Sequence, residues 1–164
     1  MSEPTPSRRA FLGWLGLGAA GGIGIALGAT PGFAANYKVS YSDAEWLKRL
    51  GQARYAILRE AATEPPFSSP LDKFYKKGTY LCAGCSTPLY SSATKYDSHT
   101  GWPSFYQPLP HAVGTSTDFK LGYPRTEVHC ATCGGHLGHV FKDGPKPTGL
   151  RYCMNGLALK FRPA

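Results

Sequence analysis

The chain contains five cysteines, and their spacing divides them between two kinds of chemistry. Four stand as two Cys-x-x-Cys pairs, Cys82-Ala83-Gly84-Cys85 and Cys130-Ala131-Thr132-Cys133. Two residues between cysteines let one tight turn aim both sulfurs at one ion. Two such turns complete a tetrahedron with Zn–S near 2.3 Å. Disulfides are the alternative use of these thiols in an exported protein. A closed four-cysteine zinc site has no open position, so its metal would hold the fold and leave reactions to other residues. Gly84 and Gly134 suit the two turns. The 44 residues between the pairs require a substantial insertion between the two knuckles.

The fifth cysteine lies in Leu150-Arg151-Tyr152-Cys153-Met154-Asn155-Gly156. In an extended segment Arg151, Cys153 and Asn155 share one face. A neighbouring guanidinium then favours the thiolate, which is the reactive form. A lone cysteine is otherwise a buried, inert apolar residue. His136-Leu137-Gly138-His139 directly follows the second knuckle. The i, i+3 spacing puts the two imidazoles on opposite faces of a regular strand, unless a bulge at Gly138 brings them together. Cysteine with nearby histidine is the pattern of an activated nucleophile and its acid/base partner; a pair of surface imidazoles is the bland alternative. Trp102 sits in a loop braced by Gly101 and Pro103, either as core packing or as a wall of an apolar pocket.

Two short helices are expected to precede this chemistry. Ser42-Asp43-Ala44-Glu45 is a capping box, Gly51 breaks the helix it starts, and residues 52–61 form the second. Beyond Gly78 the texture changes to short strands between turns: 79–82, 89–91, 125–130, 135–141, 150–155 and 158–161. The predicted fold is mainly β with minor α: two small helices, then a twisted antiparallel assembly clipped by zinc.

The first 34 residues read as an address. Arg8-Arg9 precedes an uncharged stretch, residues 11–30, and then Pro31-Gly32-Phe33-Ala34-Ala35. A charged start, an apolar middle and small residues at a cut site make a secretory signal, and paired arginines resemble the twin-arginine type. Seven glycines from Gly13 to Gly28 weaken the alternative of a permanent membrane anchor. Residues 35–164 would then form the mature domain. The net charge of +8 falls to +7 without the leader's two arginines and one glutamate. Scattered bases and export both argue against nucleic acid as a partner. The 42% apolar content excludes a wholly disordered chain.

Together these segments closely resemble methionine-R-sulfoxide reductases of the B type, over about residues 42–161. The motifs are Gly-Thr-Tyr-Leu-Cys-Ala-Gly-Cys (78–85), Gly-Trp-Pro-Ser-Phe (101–105), Arg-Thr-Glu-Val with the second knuckle (125–133), His-Leu-Gly-His-Val-Phe-Lys-Asp-Gly-Pro (136–145) and Gly-Leu-Arg-Tyr-Cys-Met-Asn (149–155). The resemblance implies coiled antiparallel sheets and reduction of the R epimer of methionine sulfoxide, mainly within oxidised proteins, as a repair activity against oxidative stress. It implies Cys153 as nucleophile and His136, His139 and Asn155 as polar site residues, with Trp102 receiving the methyl group and Asp143 and Arg151 nearby. It also implies one structural zinc on Cys82, Cys85, Cys130 and Cys133.

The chemistry expected is attack of Cys153 on the sulfoxide sulfur while an imidazolium, His139 or His136, protonates oxygen. The resulting sulfenic acid must then be reduced. Many members of the family carry a resolving cysteine where this chain has Thr100, so an outside thiol, thioredoxin-like or other, is the expected reductant. His99 stands in place of a usual glycine and Gly156 of a usual serine. The remaining expectations are a monomer in the periplasm or otherwise exported. A zinc-clipped binding module without catalysis and a cysteine hydrolase are the rival readings.

Overall fold

A computed structural model describes residues 37–164; the expected signal segment lies outside them. Helix α1, Asp43–Glu60, begins as the capping box requires: the Ser42 hydroxyl accepts the Glu45 N–H at 3.3 Å, and Asp43 and Glu45 place negative charge in the first turn. Gly51 adopts φ 69°, ψ 163°, which is not helical, so the element is two short helices joined at a kink. Trp46, Ile57 and Leu58 form its buried side. Its C-cap, Ala61, is left-handed at φ 51°.

Nine strands follow in two antiparallel sheets. β1 (Gly78–Cys82) lies between β2 (Pro88–Ser91) and β9 (Leu159–Pro163). The larger sheet has the order β3 (Lys95–Tyr96), β4 (Ser104–Phe105), β8 (Arg151–Met154), β7 (His136–Phe141), β6 (Arg125–Cys130), β5 (Val113–Asp118). The core is aromatic. Tyr90 stacks on Phe105 at 4.3 Å between ring centres, Tyr80 meets Phe105 edge-on at 4.9 Å, and all three are fully buried. The Tyr90 hydroxyl donates to Met154 Sδ at 3.1 Å, which pins β8 one residue beyond Cys153.

The six expected strands are present, with ends shifted by at most two residues. Three more were not foreseen: β3 and β4 are two residues each, and β5 is half-exposed along its length. None presents the alternating apolar face that marks a strand in sequence.

The knuckles are the turns β1→β2 and β6→β7, one in each sheet. They share one hydrogen-bond pattern. Ser86 N–H donates to Cys82 O and Gly134 N–H to Cys130 O, both at 2.8 Å. The left-handed position follows the second cysteine in each, at Ser86 (φ 61°) and Gly134 (φ 68°). Gly134 therefore serves as expected. In the first knuckle the left-handed place belongs to Ser86 and not to Gly84.

Candidate active site and metal centre

The four knuckle sulfurs lie within 4.8 Å of one another. Cys82 and Cys133 Sγ are 3.7 Å apart, and Cys85 and Cys130 Sγ 3.5 Å. A regular tetrahedron of thiolates at the Zn–S distance has edges of about 3.8 Å, so the donor set and its size fit zinc. All five cysteines are free, and no histidine joins the cluster. Each pair comes from a different sheet, so one ion here would fasten sheet to sheet.

Cys153 sits in β8 between two neighbours, opposite Ser104 on β4 and His139 on β7. It lines a pocket of about 120 Å³ with Trp102, His139, Phe141, Arg125, Gly138, Thr63 and Asn155. A cavity of about 600 Å³ beside Glu64 is larger but holds no thiol or imidazole, so size does not decide the site. Trp102 is fixed by its indole N–H, which donates to Glu64 O at 3.1 Å. Its ring is left as pocket wall together with Phe141.

The imidazoles are brought together by the bulge expected near Gly138. His129 pairs with His136 and Val128 with Gly138, so Leu137 is the extra residue. The ring centres stand 5.4 Å apart, edge to face. A Cβ at position 138 would strike the Cys153 carbonyl oxygen and come within 3.0 Å of Met154 Cα. The missing side chain is what lets β7 approach β8 at the nucleophile.

Each histidine is held by a carboxylate. His139 Nε2 is 2.7 Å from Asp118 Oδ2, which also receives Arg125 Nη2 at 2.5 Å. The Lys120 N–H, His139 and Arg125 together hold the Asp118 carboxyl well below its usual range. The carboxylate thus fixes a proton on Nε2 and leaves Nδ1 as the nitrogen without a hydrogen-bond partner among the described residues. Burial lowers the His139 pKa despite Asp118, so its resting form at neutral pH is imidazole. His136 Nδ1 is 2.7 Å from Glu127 Oε1, a contact that brings the Glu127 carboxyl down to about 2. His136 is buried, lines a separate cavity with Asp118, Phe119 and Glu127, and its Nε2 has no partner among the described residues.

Burial raises the Cys153 pKa above the ordinary thiol value. The Thr100 and Ser104 hydroxyls and the Arg151 guanidinium oppose it only in part. Arg151 favours the thiolate as expected, but its guanidinium is shared with other partners. It binds Asp143 through Nε at 2.9 Å and Nη2 at 2.8 Å, and lies 4.4 Å over the Phe141 ring. Arg151 and Asp143 line a neighbouring cavity with Tyr96, Ser98 and Thr100. Asn155 borders the Cys153 pocket, but its amide is committed to backbone: Oδ1 accepts Glu64 N–H at 3.0 Å, and Nδ2 donates to Leu137 O at 3.2 Å. It positions the walls.

Glu64, Asp118, Arg125, Glu127 and Phe141 complete the site without having been assigned roles in the sequence. Arg125, Glu127 and Phe141 fall inside recognised motifs. Asp118 and Glu64 are joined to the site only by tertiary hydrogen bonds, and Glu64 also accepts the Gly156 and Leu157 N–H groups. The two departures have local reasons. His99 is left-handed at φ 58°, the conformation that glycine adopts freely. A Cβ at Gly156 would collide with the Ser69 side chain.

A family model described as "SelR domain" matches residues 50–163. The chain is 54% identical over 128 residues to "Peptide methionine sulfoxide reductase MsrB" of Leptospira interrogans, covering 77% of this chain and 98% of that protein. It is 53% identical over 127 residues to the protein so named in Agrobacterium fabrum, covering 77% and 94%. It is 49% identical over 128 residues to "Peptide methionine sulfoxide reductase B1, chloroplastic" of Oryza sativa subsp. japonica, covering 77% and 60%.

Proposed function

The chain belongs to the SelR-domain family of MsrB-type peptide methionine sulfoxide reductases, and on that premise we propose that Cys153 reduces the R epimer of methionine sulfoxide in oxidised proteins by way of a sulfenic acid. The oxidoreductase activity on oxidised methionine follows from the family. The proposal adds the residues, the epimer and the reductant. It is carried by one juxtaposition: Cys153 and His139 are cross-strand partners at a small pocket walled by Trp102 and Phe141.

The resting pair is thiol and imidazole, and it holds the one proton that the reaction moves from sulfur to oxygen. His139 Nδ1 takes the thiol proton as the sulfur attacks the electrophilic sulfoxide sulfur, then delivers it to oxygen. The sulfoxide S–O bond breaks, oxygen and proton remain on Cys153 as the sulfenic acid, and methionine leaves. Cys153 sulfur is oxidised by two electrons and methionine sulfur is reduced by two. Thr100 offers no second thiol beside Cys153, and the other four cysteines lie in the metal-type cluster. An outside thiol, thioredoxin-like or otherwise, therefore displaces water from the sulfenic acid, and a second thiol releases Cys153. Apolar contact of the substrate methyl with Trp102 selects the epimer.

Cys82, Cys85, Cys130 and Cys133 hold one structural zinc in this reading, a cross-link that also shields those thiols from oxidation. The Arg8-Arg9 leader directs the protein out of the cytoplasm by the twin-arginine route, and it acts there as a monomer.

Dithiothreitol-driven turnover of protein-bound sulfoxide, followed separately for R and S epimers, tests the proposal. The wild type should consume only R, Cys153→Ser should consume neither, and Trp102→Ala should lose at least tenfold in kcat/KM. Turnover by Cys153→Ser, or equal rates on both epimers, would refute it.

A further inference from the structure

The Cys153 pocket, at about 120 Å³, has the volume of roughly four waters at about 30 Å³ each. That is room for one side chain. A peptide whose oxidised methionine enters it must lay its backbone and neighbouring side chains on the rim. Two loops border that rim, and both carry bare apolar side chains. Phe67 and Phe119 are 65% exposed, Leu121 59% and Tyr123 54%, the highest values for large apolar side chains among the described residues. The Phe67 N–H donates to Gly101 O at 2.7 Å, which fixes Phe67 beside Trp102. Phe119, Leu121 and Tyr123 lie in the β5–β6 loop, residues 119–124, and the next residue, Arg125, lines the pocket. Trp102 leads into β4 and Arg125 opens β6, and these strands flank the β8–β7 pair. The two loops therefore border the pocket from opposite sides.

The β5–β6 loop is held firmly. Arg125 and Asp118 pair across its base, and the Gly122 N–H donates to Phe119 O at 2.9 Å. Lys120 Nζ donates to Glu60 O at 2.7 Å and to Ala61 O at 3.1 Å. Clustered apolar groups held out in water mark a binding surface, and a backbone already fixed keeps the ordering cost of binding small. We propose that Phe67 on one side, and Phe119, Leu121 and Tyr123 on the other, dock the apolar residues that flank methionine sulfoxide in a peptide substrate. The proposal rests on the Cys153 pocket being the sulfoxide site, and adds which peptides it serves best. Methionine packs in cores among apolar neighbours. Oxidation makes it polar and disrupts that packing, which exposes the neighbours together with the sulfoxide.

The test compares kcat/KM of the full chain, with dithiothreitol, on three R-sulfoxide substrates. These are N-acetyl methionine sulfoxide amide, a pentapeptide with leucine at the flanking positions, and the same pentapeptide with serine there. The leucine peptide should exceed the serine peptide about tenfold or more, since one buried methylene is worth about fourfold. Phe67→Asn combined with Leu121→Ser and Tyr123→Ser should bring the two peptides to within about twofold of each other, through KM, and leave the amide unchanged. Asn suits the left-handed φ of 62° at position 67, and Phe119, which borders His136, stays in place. No leucine preference in the wild type, a preference that survives the triple variant, or an equal loss on the amide would overturn the proposal. So would binding to phosphatidylglycerol vesicles, or self-association in sedimentation, that the variant abolishes while the peptide preference persists; the surface would then belong to lipid or to a second copy. Each of these results leaves the nucleophile standing, whereas turnover by Cys153→Ser would remove it.

Discussion

At Cys153, burial and local charge pull in opposite directions, and burial prevails. Arg151 lies two residues away on the same strand, yet its charge is shared with Asp143 and the Phe141 ring. The sequence placed arginine and cysteine on one face correctly. It could not show that the guanidinium already had a partner, because Asp143 reaches it from a different loop. The same holds for the histidines. Their types and nearness to each other were legible, while Asp118 and Glu127, which set their tautomers, come from the ends and middle of other strands. A raised thiol pKa has a sign that can be checked. Below its ordinary value near 9 the free enzyme carries the thiol, so alkylation of Cys153 should rise through pH 9 and above, with no plateau near neutrality. A rate already maximal at pH 7 would mean a standing thiolate and a different activation scheme.

The strands explain why these side chains meet. β8 is flanked by β4 and β7, so Cys153 faces Ser104 on one side and His139 on the other. Longer strands were readable from their apolar residues and bounding turns. β4 is only two residues long and its sequence reads as loop, because pairing with β8 creates it and no periodicity announces it. The bulge at Leu137 was foreseen from the i, i+3 histidines and Gly138. Its necessity shows only in the structure, where the β8 backbone occupies the space of any side chain at 138. Gly138→Ala should therefore destabilise the protein by about 1–3 kcal/mol, the usual range for overpacking against groups that cannot yield. It should also lower kcat at least tenfold by pushing His139 away from Cys153. Thermal melts and steady-state kinetics at saturating substrate check both; unaltered values would show that the β7–β8 spacing is not critical.

Across the whole molecule, the two sheets are joined by aromatic packing and by the four-sulfur cluster. Two Cys-x-x-Cys pairs announced the cluster without any knowledge of the fold, since the ligand geometry is local to each turn. Which elements it fastens was not legible, because the pairing of β1 with β9 and of β4 with β8 joins residues far apart in sequence. A metal bound only by the folded state adds its binding free energy to stability. Metal analysis should find one zinc per chain, and removal by chelator under reducing conditions should lower Tm by at least 10 °C and release four thiols. A metal-free protein with the same Tm would contradict a structural role.

The sharpest test of the nucleophile is a single turnover without reductant. Enzyme is mixed with excess peptide methionine-R-sulfoxide, methionine is counted, and the oxidised residue is trapped with a sulfenic-acid reagent and located by mass spectrometry. The account predicts one methionine per chain and one added oxygen at Cys153. A second equivalent formed without thiol, an oxygen found on a knuckle cysteine, or a disulfide linking Cys153 to one of them would contradict it.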